Sequence, residues 1–242
     1  MPKIEPPQTR AERVADQLRD RIAGGEFPVG ALIPTEKELA EETGVSRNSV
    51  REAVRALVHA GMLASRAGYG TYVTATSDIA PTLARHIGHD RSENPADVAE
   101  VRAILEREGA RLAAVRATDD QVTALRDALA PRLSATTLPD YAGADITFHR
   151  LLMEASGNAL LAELYRGIQG NEQALLDFDD PGIDISDRDP RMVEIDEGHH
   201  DVVAAVAAHD PQAAADAATR TIALVQNYAA GLRAAEEEQD KK

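Results

Sequence analysis

Apolar residues recur at helical spacing along most of this chain, and only one short stretch reads as strand. Val14, Leu18 and Ile22 repeat every four residues, which predicts an amphipathic first helix over 10–23 that stops at Gly24-Gly25. Thr35 precedes Glu38 by three residues, a spacing that lets hydroxyl and carboxylate each satisfy the other's backbone N–H, so a second helix is expected to begin there and to break at Gly44. Ser46 then caps a third helix, whose Val50, Val54, Leu57 and Val58 call for a buried face. Two short strands follow, 62–66 and 71–73, around Ala67-Gly68-Tyr69-Gly70. From Pro81 onward the pattern is helical throughout, with helices expected at about 79–89, 95–117, 119–134, 139–156, 158–177, 190–208 and 211–235. Short connections between them imply an antiparallel bundle. The expected fold is mainly α: an N-terminal winged helix-turn-helix with a small β-hairpin wing, then a C-terminal all-α antiparallel helical bundle.

That order of elements points to duplex DNA. Arg47, Asn48, Arg51 and Arg55 lie opposite the apolar face of the third helix, and the arginines are four residues apart on one stripe. A guanidinium can grip guanine O6 and N7 in a fork or bind phosphate, and Asn48 can pair with an adenine edge. Glycine in the hairpin tolerates positive φ and lets backbone approach a groove wall. The bland alternative is a solvated helix face paired with Glu52 and other acids.

The chain has 242 residues, more than one typical domain, and divides naturally into a flexible start (1–9), a DNA-binding domain (10–75), a linker (76–80), a helical domain (81–235) and a charged tail (236–242). Its net charge of −15 is unevenly placed: residues 1–75 hold ten Lys/Arg and ten Asp/Glu, and residues 76–242 hold sixteen against thirty-one. Phosphate would repel that acidic second part, so contact with DNA is expected through the recognition helix and wing alone. With 3% aromatics and no Trp, the chain offers no base-stacking surface for single strands. No run approaches the roughly 20 apolar residues of a membrane span, and MPKIEPPQTR lacks a signal-peptide core, so a cytoplasmic protein with no membrane partner is expected. Zero cysteines leave only oxygen and imidazole ligands for any metal.

In the second domain, Asp145 and His149 stand four apart and share one helix face, while His199 and His200 lie on a later helix. Such a pair is a metal candidate or simply a surface or satisfied core pair. The Asp-rich 177–190 segment reads as a loop, without the spacing or final glutamate of an EF-hand.

The stretch PVGALIPTEKELAEETGVSRNSVREAVRALVHAGML…GYGTYV resembles the N-terminal domain of GntR-type bacterial transcription regulators. EVRAILEREGARLAA and DITFHRLLMEASGN resemble the effector domain of its FadR-like, or FCD, branch. The resemblance implies a homodimer on a near-palindromic operator, with DNA contacts from Lys37, Ser46, Arg47, Asn48, Arg51 and Gly68. It places Arg102 on the wall of an effector cavity, where a guanidinium could hold a small organic acid; spacing alone equally fits an Arg102–Glu106 ion pair. It further implies a divalent metal (Zn, Mn or Ni) held by Asp145, His149 and His199, with Thr221 where the family usually supplies a fourth ligand, a departure that leaves open a weakened metal site, a site completed by the effector, or a pocket that has abandoned metal. Two rivals are a metal-dependent hydrolase using Glu197 as base and a ligand-free architectural DNA binder.

Overall fold

The computed structural model describes residues 8–89, 95–168, 185–187 and 189–239. The chain forms two compact units, Met1–Arg85 and His86–Lys242, each with its own core.

In the first unit, helix α1 spans Arg10–Ala23, α2 Glu36–Thr43 and α3 Arg47–His59. Capping boxes open α1 (Thr9 with Glu12) and α2 (Thr35 with Glu38), and the Ser46 hydroxyl accepts from the Ser49 N–H to open α3. Strands β1 (Leu63–Arg66) and β2 (Gly70–Val73) form an antiparallel hairpin in register Leu63↔Val73. Residues 30–33 run along the other side of β2, through Gly30 N–H to the Val73 carbonyl (2.8 Å) and Ile33 N–H to the Thr71 carbonyl (2.9 Å). This extra edge pairing had no signature in the residue pattern.

The core joins Val14, Leu18 and Ile22 of α1 to Leu39, Val50, Val54, Leu57, Met62 and Leu63. The buried face of α3 is Val50, Ala53, Val54 and Leu57. Val58, expected on that face, is 37% exposed, because a step of one residue past Leu57 turns it about 100° toward water. A fourth helix, α4 (Ile79–His89), begins against this unit, where Arg85 donates to the His59 carbonyl at the end of α3.

The second unit contains α5 (Pro95–Arg116), α6 (Asp119–Asp127), α7 (Leu129–Ser134), α8 (Leu138–Ala155), α9 (Ala159–Ile168), α10 (Pro190–Ala207) and α11 (Pro211–Gln239). Helices α5, α8, α10 and α11 pack on one another around Phe148, Leu152, Met153, Tyr165, Val202 and Val206. Alanines 110, 113, 114, 214, 217 and 218 fill the seams, letting helices approach closely with little side-chain entropy lost. No described helix is long and apolar enough to cross a membrane.

One expected helix is two. The 119–134 segment breaks at Ala128, because Pro131 has no N–H to offer the Asp127 carbonyl and its ring crowds that group. Residues 169–177 of the helix expected at 158–177, and most of the Asp-rich segment, lie outside the described residues.

The phase of α3 is directly testable. Leu57→Ala should cost roughly 2–5 kcal/mol, and Val58→Ala no more than about 0.5 kcal/mol, by chemical denaturation of the full chain. Equal costs would contradict this burial pattern.

Candidate functional site

The DNA-facing candidates are all solvent-exposed: Lys37 on α2, Ser46 at the α3 cap, Arg47, Asn48 and Arg51 on the first turns of α3, and Gly68 at the hairpin tip. Capping forces this on α3, because Ser46 must sit at its N-terminus and the apolar residues must face α1 and α2. Arg51 donates to the Asn48 side-chain oxygen (2.7 Å), which orients both groups. Lys37 lies 3.8 Å from Glu41, an exposed and weak pairing. Among the described residues, Arg47, Arg51 and Arg55 form no ion pair, so the paired, solvated helix face that spacing also allowed is absent from this helix. Gly68 has φ +76°, and a Cβ there would meet nothing within 4 Å. The positive φ therefore explains the glycine, and the open space leaves the tip free for a partner.

The second candidate lies in the helical unit. A cavity of about 100 Å³, partly open to solvent, is lined by Arg102 and Glu106 of α5, Asp145 and His149 of α8, His199 of α10 and Thr221 of α11, among others. The Nε2 atoms of His149 and His199 are 3.3 Å apart, and Asp145 Oδ1 lies 3.6 and 3.5 Å from them. The four-residue spacing thus does place Asp145 and His149 together, and His199 rather than His200 completes the cluster; His200 is exposed. Burial pushes the His149 imidazole down to about 4 and His199 well below its usual range, so both are neutral at neutral pH. His199 Nδ1 sits 2.7 Å from the Ile195 carbonyl and must donate there, which leaves Nε2 as an acceptor. His149 Nδ1 is buried with no hydrogen-bond partner among the described residues.

Arg102 both lines the cavity and pairs with Glu106, its Nε donating at 2.7 Å. The two readings of Arg102 are therefore not exclusive. The pair is no surface bridge, since Glu106 is buried and also accepts from the Tyr165 hydroxyl (2.7 Å). Burial works against the Glu106 carboxylate, yet the neighbouring His149 ring, Arg102 and Tyr165 hold it below the ordinary range.

Sequence reasoning missed Arg132. Its side chain, 1% exposed, enters the cluster from α7 and reaches Asp145 Oδ1 and, at 3.1 Å, His199 Nε2. Its other N–H groups go to Asp196 Oδ1 (3.1 and 3.3 Å) and the Tyr141 hydroxyl (2.5 Å). The Tyr141 hydroxyl donates in turn to Asp196, and burial pushes it up to about 12.

The three expected metal donors converge, all within 4.8 Å of one another. The rest of the shell does not fit a divalent ion. A guanidinium stands within hydrogen-bond reach of two of the three donors, and the Thr221 hydroxyl, which donates to the Ala217 carbonyl (2.9 Å), is a neutral oxygen and a weak ligand compared with imidazole. Thr221 is also wedged against α10, where a Cβ on Gly198 would come within 2.4 Å of its oxygen. Glu197, the base of the hydrolase alternative, is exposed and is not among the described residues lining the cavity.

Residues 10–73 match the bacterial regulatory proteins of the gntR family, and residues 97–224 match the FCD domain. An uncharacterized HTH-type transcriptional regulator of Mycobacterium tuberculosis is 32% identical over 223 residues, covering 88% of this chain and 87% of the relative. A putative L-lactate dehydrogenase operon regulatory protein of Escherichia coli is 35% identical over 168 residues, covering 66% of this chain and 64% of that protein. Among solved structures, a Streptococcus agalactiae GntR protein has a TM-score of 0.69 at 30% identity, covering 90% of this chain and 99% of that one. These relatives are transcriptional regulators rather than enzymes. With both domains matched in order and a relative similar over most of its length, the chain belongs to the GntR family of bacterial transcriptional regulators, in the branch that carries an FCD domain.

Proposed function

We propose that the protein is a homodimer that sets two α3 helices into successive major grooves of a near-palindromic operator, and that a small organic acid in the helical unit alters its affinity for that site. The observation that carries the DNA reading is the outward stripe of Arg47, Arg51 and Arg55, which form no ion pair among the described residues. Unpaired surface guanidinium groups on the first turns of a capped helix are available to base edges and phosphates. Lys37 and Ser46 would add phosphate contacts at the helix ends, and Gly68 would bring the hairpin backbone against the duplex.

The effector reading rests on Arg102 at the cavity wall, on a half-buried guanidinium's fit to a carboxylate, and on the nearby His149 Nδ1, which has no hydrogen-bond partner among the described residues. One relative is named for an L-lactate dehydrogenase operon, which concerns an acid of this size class. Coupling between such a ligand and DNA binding typically amounts to about 1–3 kcal/mol, or roughly 5- to 150-fold in affinity.

Replacing Arg47 and Arg51 by alanine should weaken operator binding by roughly 1–3 kcal/mol each in a gel-shift titration on the gene's own promoter region, with thermal stability unchanged. Undiminished binding would remove the assignment of α3 as the recognition helix. Lys37→Ala should weaken binding evenly across sequences and reduce the slope of log K against log salt by about 1. For the effector, a panel of small hydroxy, keto and dicarboxylic acids should include one that raises the melting temperature of wild-type protein and not of Arg102→Lys, whose compact ammonium cannot form the planar fork. If no acid stabilises wild-type protein, the architectural alternative is the better description.

A further inference from the structure

We infer that Arg132 supplies the fixed positive charge at the centre of the helical unit, so that its ligand site is organised by a guanidinium and takes no divalent metal. The inference deepens the effector reading, because it states what the acid meets, but the two fail separately.

The geometry begins on α7, where Leu129 and Arg132, three residues apart, share the buried face while Leu133 is exposed. A guanidinium has five N–H donors, and here each has an acceptor. Nε and one Nη2 hydrogen go to Asp196, the other Nη2 hydrogen goes to Tyr141, and the two Nη1 hydrogens go to Asp145 and His199. The tautomer of His199 agrees: Nδ1 donates to the Ile195 carbonyl, so Nε2 presents the lone pair that Arg132 fills. With Nδ1 spent on the Ile195 carbonyl, the lone pair on His199 Nε2 is the only one that ring could give an ion, and the nearest Asp145 oxygen already accepts from the same guanidinium.

A divalent ion among Asp145, His149 and His199 would therefore compete with a cation already bonded to two of them, and would sit close to its positive charge in a buried setting. Arg132 cannot simply turn away, because leaving would strand Asp196 without its guanidinium. Position 221 does not restore the balance, since its hydroxyl, which donates to the Ala217 carbonyl, is neutral and offsets none of the added positive charge. Asp145 and the two histidines are thus held in place as a ligand shell would be, with a protein cation at its hub.

The test is metal content. Full-length wild-type protein, incubated with excess Zn²⁺, Ni²⁺ or Mn²⁺ and desalted, should retain less than about 0.1 ion per chain by elemental analysis, and its melting temperature should be unchanged by EDTA. Arg132→Met removes the cation while keeping volume in the core, and should acquire about one Zn²⁺ or Ni²⁺ per chain with a rise in melting temperature on adding metal. One tightly held ion per wild-type chain, lost in His149→Ala, would overturn the inference. So would a folded Arg132→Met protein that takes up no metal, because the three side chains would then be no latent ligand set. Should Arg132→Met fail to fold, the wild-type metal content decides alone. Stabilisation of EDTA-treated wild-type protein by an organic acid belongs to the effector reading and can succeed or fail whatever the metal content.

Discussion

The helical unit is organised around one buried cation, Arg132, and the two carboxylates it neutralises. Asp145 is carried by α8 and Asp196 by α10, so satisfying a single guanidinium from α7 fixes three helices relative to one another. Removing one member of a buried ion pair typically costs 3–5 kcal/mol, because the partner is left charged and dry. The same interaction sets the cavity wall, since Asp145 and His199 line it and both touch Arg132. A ligand that contacts this wall therefore acts on a network spanning α7, α8 and α10, which is the kind of shared element that coupling between sites requires.

The two units use arginine in opposite ways. In the helical unit Arg132 is enclosed and every donor is spent, so it serves architecture. On α3 the guanidinium groups are exposed and make no ion pair among the described residues, so their charge is available to a partner. Arg102 stands between these extremes, bonded to Glu106 yet on the cavity wall, and is therefore the guanidinium through which a carboxylate could enter the network. The acid excess behind the net charge of −15 lies wholly in residues 76–242, so repulsion disfavours encounters in which that part of the chain meets phosphate.

Local chemistry made the N-terminal unit legible from residues alone. Thr35 with Glu38 and Ser46 ahead of Arg47 fix the starts of α2 and α3, and the hairpin glycines mark the wing, because capping and positive φ depend on neighbours in sequence. The strand-like pairing of residues 30–33 with β2 was not legible, since it depends on tertiary contact and leaves no alternation. In the helical unit the four-residue spacing put Asp145 beside His149, but the hub was hidden. Leu133 and Arg132 sit in an apolar run where the ordinary reading turns the leucine inward and the arginine out, whereas in the fold Arg132 is buried and Leu133 is exposed. Asp196 was equally hidden next to exposed Glu197, since only the packing of α10 against α7 shows which of the two carboxylates is inside.

The most direct measurement is anomalous diffraction at the zinc or nickel absorption edge from crystals of wild-type protein grown or soaked in that metal. The account predicts no anomalous peak among Asp145, His149 and His199, and continuous density for the Arg132 side chain between Asp145 and Asp196. A strong peak bonded to those three residues, with the guanidinium displaced from Asp145, would contradict it.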